Sequence, residues 1–83
     1  MSAGPVIGVD PGRSKAGYAL LDPAGRVLSA GIETIDRLPE CLAALVRGRP
    51  IAAIALSRGT NSGPVRASLE RLGLPIHLVD EYE

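Results

Sequence analysis

The stretch from Val6 to Leu21 constrains the fold more than any other part of the chain. Val6-Ile7-Gly8-Val9 is a short apolar run that ends on the carboxylate of Asp10. Pro11 and Gly12 then turn the chain, because proline fixes φ and glycine tolerates positive φ. A polar Arg13-Ser14-Lys15 follows, and Ala16 to Leu21 resumes an apolar run. The pattern predicts strand, tight polar loop, strand, with Asp10 at the carboxyl end of the first strand. A strand-end aspartate beside an arginine- and lysine-bearing loop is a natural place to hold a divalent cation against a phosphate. A lone Asp-Pro-Gly more often just opens a turn. The flanking strands and the later chain favour the functional alternative.

At 83 residues the chain is expected to form a single domain, 1–83, that buries roughly 60% of its unfolded surface. Hydrophobic residues make up 46%, which predicts a packed core. Phe and Trp are absent and there are only two Tyr. The core must come from Val, Ile, Leu and Ala, and no aromatic platform exists for stacking bases. The formal charge is zero, so any nucleic-acid binding must come from a local basic patch. No apolar run approaches the ~20 residues of a membrane span, and the first residues carry no signal-peptide pattern. The single Cys41 excludes an intrachain disulfide and fits a reducing compartment, so a cytoplasmic location is expected.

Asp22-Pro23-Ala24-Gly25 predicts a compact turn, and Arg26 to Glu33 a third strand, completing an antiparallel meander. Asp36 is the expected N-cap of a first helix, with Pro39 in its first turn. Leu38, Cys41, Leu42, Leu45 and Val46 recur at helical spacing, and Gly48 and Pro50 end the helix. Cys41 falls on that stripe and reads as a small buried hydrophobe rather than a catalytic thiol. Ile51 to Leu56 is apolar without alternation, as in a strand buried on both faces of a parallel sheet. The small polar loop Ser57 to Pro64 opens a second helix capped by Asn61 or Ser62, with Val65, Leu69 and Leu72 as its apolar face. Gly73 is its expected stop. Ile76 to Val79 is a fifth strand ending in Asp80 and Glu81, and its lone His77 reads as structural or solvated.

The resulting order is βββαβαβ. Strands four and five, joined by a helix, should be parallel with a right-handed crossover. If strand one runs with them, three carboxyl ends share the edge where open α/β sheets bind ligands. Asp10, the Ser57–Ser62 loop and Asp80/Glu81 would then converge, with Arg13, Lys15 and Arg58 available for phosphate.

The motif Ile7-Gly8-Val9-Asp10-Pro11-Gly12-Arg13-Ser14-Lys15-Ala16-Gly17, the loop Gly59-Thr60-Asn61-Ser62 and the segment Leu78-Val79-Asp80-Glu81 resemble the YqgF family, relatives of RuvC-type Holliday-junction resolvases. The resemblance implies a ribonuclease H-like α/β fold: a mixed five-stranded sheet of order 3-2-1-4-5, here expected without its C-terminal helix. It implies metal-dependent phosphodiester hydrolysis of structured nucleic acid, either in precursor 16S ribosomal RNA maturation or in resolving branched DNA. It implies Mg²⁺ or Mn²⁺ as cofactor and Asp10 and Glu81 as catalytic metal ligands, with Asp80 beside them. Arg13, Lys15, Arg58, Thr60, Asn61 and Ser62 are the candidate nucleic-acid contacts. Two departures stand out. Ser57 ends strand four where resolvases carry an acid, and the family's helix bearing a further aspartate is not expected within residues 1–83. The site is therefore expected to be incomplete and nuclease activity weak.

Two other classes compete with the nuclease expectation. One is a non-catalytic nucleic-acid-binding module of the same fold. The other is the actin/hexokinase-type nucleotide-binding half, which needs two such domains and a second phosphate loop. A homodimer is also expected. Right-handed crossovers put both helices on one face of the sheet and leave the other bare, for a second copy to cover.

Overall fold

Alternation along Val6–Pro11 makes it the hub of the sheet: Ile7 and Val9 are buried, while Gly8 is half-buried and Asp10 exposed. The computed structural model describes residues 4–59 and 61–80. In chain order they form β1 (Val6–Pro11), β2 (Lys15–Leu21), β3 (Val27–Thr34), α1 (Leu38–Val46), β4 (Ala53–Ser57), α2 (Ser62–Leu69), a 3₁₀ turn (Glu70–Leu72) and β5 (Ile76–Val79). The strands make one mixed sheet of order β3-β2-β1-β4-β5. β1 to β3 are antiparallel, whereas β1, β4 and β5 are parallel. This is the ribonuclease H-like arrangement expected from the sequence.

The registers explain the layering. Ile7 lies beside Leu20 and Ile54, and Val9 beside Tyr18 and Leu56, so these side chains share one face. Leu38 and Leu42 of α1 and Val65 and Leu69 of α2 complete the same core, all fully buried. Burying one such side chain stabilises the fold by about 1.5–3 kcal/mol. Both helices therefore cover a single face, as the crossover argument requires. The opposite face carries Gly8, Gly17, Ala19 and Ala55 at its centre. Ile32 and Val79 stand exposed toward its two edges.

Several local expectations are corrected. Asp36 does not cap α1. The N-cap position is Arg37, without a side-chain cap bond, and Asp36 sits in a turn closed by Arg37 N–H on the Thr34 carbonyl at 3.1 Å. The turn must finish before Pro39 can enter the first helical turn. β4 begins at Ala53, not Ile51, because Ala52 N–H is drawn to the Pro5 carbonyl at 2.8 Å just ahead of the ladder. Nor is β4 buried on both faces: Ile54 and Leu56 are, but Ala53, Ala55 and Ser57 face the bare side. Alanine is apolar enough to hide the alternation. Cys41 is only half-buried, and its thiol meets the Tyr18 phenol. β3 runs one residue later than expected, from Val27 to Thr34, and its ladder with β2 carries a bulge between Leu20 and Leu21. Gly73, at φ 74°, ends the 3₁₀ turn as its position predicts.

Candidate functional site

The parallel registers carry β1, β4 and β5 out of the sheet at one edge. Asp10 and Ser57 are neighbours there, one step beyond the Val9/Leu56 pair, and Val79 is paired with Ser57. All three line a shallow concavity of about 380 Å³, whose floor is Gly8, Gly17, Ala19 and Ala55. Because side chains alternate along a strand, the phase that buries Ile7 and Val9 commits Asp10 to the bare face. Its carboxylate is exposed and makes no hydrogen bond or ion pair among the described residues.

The β1–β2 loop is folded tightly over this edge. Gly12 N–H donates to the Lys15 carbonyl at 2.8 Å, and a Cβ on Gly12 would come within 2.9 Å of that oxygen, so the turn admits only glycine there. Arg13, Ser14 and Lys15 are exposed along it. The loop after β4 is fastened to it by Asn61. In the left-handed conformation (φ 68°), Asn61 donates its side-chain amide to the Gly12 carbonyl at 3.1 Å and, more weakly, to that of Arg13 at 3.5 Å. The residue expected to contact nucleic acid is thus occupied in joining two loops. The sequence signal was available: asparagine is among the few residues that tolerate this conformation. Ser62 opens α2 and is half-buried.

Arg58 extends from the end of β4, its N–H donating to the Val79 carbonyl at 2.7 Å. Its guanidinium Nε lies 2.9 Å from Asp80 Oδ1, and both side chains are solvent-exposed. Such a pair contributes little to stability. It does, however, occupy both a candidate phosphate contact and a candidate metal ligand. Glu81 and Thr60 lie outside the described residues. Among the described residues no three His, Cys, Asp or Glu side chains come together. Mg²⁺ needs near-octahedral oxygen coordination, usually from one or two carboxylates plus water and phosphate. One free carboxylate and the Ser57 hydroxyl do not by themselves form such a site, so no catalytic step is derived through a metal.

A second polar contact lies on the helix-covered face. Hydrogen bonding to Cys41 raises the Tyr18 pKa above its ordinary 10.0, with the charge of an ionised Cys41, partial burial and Glu33 adding to the effect. Cys41 and Tyr18 are absent from the expected site because nothing in their spacing links a β2 tyrosine to α1.

No protein-family model matches the chain, and no curated protein matches it. Solved structures do. The structure of RuvC from Thermus thermophilus superposes with a TM-score of 0.69 at 18% identity, covering 92% of this chain and 61% of that one. A ROK family glucokinase from Streptomyces griseus, solved with glucose and AMPPNP, gives 0.62 at 22% identity, with 93% and 33% covered. A ROK family transcriptional regulator, a homolog of the E. coli MLC protein, gives 0.68 at 13% identity, with 95% and 28% covered. The chain thus spans a third or less of the ROK structures and about three fifths of RuvC. At these identities what is shared is the fold, and the chain has the ribonuclease H-like core common to RuvC and the ROK proteins.

Proposed function

We propose that this chain is a nuclease-family domain of ribonuclease H-like fold, resembling the YqgF family, that engages structured RNA or branched DNA at the carboxyl edge of β1, β4 and β5. The observation that carries this reading is the unpartnered carboxylate of Asp10, at the mouth of a concavity and under a basic loop. Arg13 and Lys15 are placed for phosphate contact, and Asn61 holds their loop to that of Arg58. Mg²⁺ or Mn²⁺ enters through the resemblance, with Asp10, Asp80 and Glu81 as the carboxylates it would recruit. Maturation of 16S ribosomal RNA precursor and junction resolution are the two substrate classes to test. Self-association belongs to the same reading, because Val27, Leu28 and Ile32 are large exposed apolar side chains on the outermost strand.

The Arg58–Asp80 pair favours a second reading, a non-catalytic nucleic-acid-binding module, since it engages one of the acids. One experiment separates the two. Wild type and Asp10→Asn are incubated with a four-way DNA junction and with structured RNA, with and without Mn²⁺, following both binding and cleavage. Weak Mn²⁺-dependent cleavage that disappears in Asp10→Asn, with binding kept, is the expected result. Binding without cleavage in either protein would favour the module. Binding to neither substrate would overturn both readings.

A further inference from the structure

We infer that the outer edge of β3 is a self-pairing surface, along which two copies join β3 to β3 antiparallel about a two-fold axis at Gly31. This rests on the self-association just proposed and gives it a location.

The hydrogen-bond phase of the meander singles out this edge. β3 is the outermost strand. Ile35 N–H donates to the Ser14 carbonyl at 2.9 Å, and the register then pairs Ala16 with Glu33, Gly17 with Ile32 and Ala19 with Ala30. Bonded and non-bonded pairs alternate in an antiparallel ladder. Glu33 and Gly31 therefore turn their backbone groups toward β2, while Ala30, Ile32 and Thr34 turn theirs outward. The Gly12–Lys15 bond sets the same phase independently, since it commits Lys15, Gly17 and Ala19 to β1. The outward N–H of Thr34 is taken by Glu33 Oε2 at 3.2 Å. Those of Ala30 and Ile32 have no partner among the described residues.

Sheet edges are ordinarily guarded by lysine, proline or bulges. β3 contains neither lysine nor proline; its one charged residue, Glu33, lies on the helix-covered face with its carboxylate taken by the Thr34 N–H, and its bulge is confined to the Val27 end. The edge is also apolar: Ile32 is 72% exposed and Leu28 53%. Unpaired backbone and exposed apolar side chains coincide on the same few residues.

The edge is complementary to itself. Antiparallel pairing about Gly31 sets Ala30 against Ile32 of the partner subunit, and Ile32 against the partner's Ala30. That satisfies every outward group named above as free, and packs a small side chain beside a large one. Glu33 falls opposite Ser29 rather than a second Glu33. The formal charge of zero adds no net repulsion between copies. β5, at the other edge, spans only Ile76–Val79 and offers a shorter ladder. A short strand pairing buries less than the ~800 Å² per partner of a standard interface, so a weak, concentration-dependent dimer is expected.

Sedimentation equilibrium from micromolar to millimolar protein tests this, with circular dichroism confirming the fold of each variant. Wild type should dimerise. Ile32→Lys should raise the dissociation constant about tenfold or more, by replacing an apolar cross-strand contact with a charge. Ala30→Pro, which removes an outward N–H without touching the β2 ladder, should do the same. Val79→Lys, on the same face at the far edge, should leave the constant unchanged. A wild type that stays monomeric at millimolar concentration would overturn both self-association and this edge. A dimer indifferent to Ile32→Lys, or broken only by Val79→Lys, would reject the edge while leaving self-association standing.

Discussion

Asn61 does two jobs that substitution can separate. Its left-handed backbone turns the chain into α2, and its amide ties that turn to the β1–β2 loop. Asn61→Gly keeps the backbone and loses the bond, so it should cost about 1 kcal/mol. Asn61→Ala loses the bond and also puts at positive φ a residue without asparagine's tolerance of that conformation, so it should cost about 2 kcal/mol, read as a lower urea midpoint at unchanged slope. Equal losses in the two variants would mean that the left-handed backbone carries no penalty for alanine, and no loss in Asn61→Gly would mean that the loop bond contributes nothing. Tyr18 offers a test in pH. Its folded-state pKa lies above the ordinary 10.0, so the folded protein retains a phenolic proton that the unfolded chain has begun to lose. The associated stability is complete below about pH 10 and declines as the pH rises toward the higher folded value. Melting temperatures should therefore fall more steeply above pH 10 in wild type than in Tyr18→Phe.

Under the proposed function the elements that engage nucleic acid are loops, and their contribution is electrostatic. Arg13 and Lys15 project from the β1–β2 turn with no ion-pair partner among the described residues. Replacing both with alanine should weaken nucleic-acid binding about equally for all sequences. It should also reduce the slope of log affinity against log salt by about 1.5–2, measured by a salt titration of fluorescence anisotropy. The strands and their order were legible in the sequence because turn residues punctuate them: Pro11-Gly12, Asp22 to Gly25, Gly48 and Pro50, Gly73 and Pro75. The edge shared by Asp10 and Asp80 was legible too, since parallel strands joined by right-handed crossovers must end together. What could not be read were side-chain contacts between distant elements. Nothing near Asn61 shows that its amide reaches Gly12, and nothing near Arg58 shows that it pairs with Asp80. Local composition misled in one place, where the alanines of β4 concealed which face the helices leave uncovered.

At the scale of the molecule, the candidate site has no existence apart from the fold. Asp10, Ser57 and Asp80 are distant in sequence, and sheet pairing assembles them. A ligand that needs all three can bind the native chain and has nothing equivalent to hold in the unfolded one. Mass action then turns recognition into heat resistance: saturation at 100 times the dissociation constant adds about 2.7 kcal/mol to the free energy of unfolding. For a domain this small that corresponds to a rise in melting temperature on the order of 10 °C. A panel of junction DNAs, RNA hairpins, nucleotides and divalent cations can therefore be ranked by calorimetry alone, before any reaction is known. A true ligand should lose its shift in Asp10→Asn or in the Arg13/Lys15 double variant. The sheet pairing that gathers these residues thus makes the chain a thermometer for its own ligand.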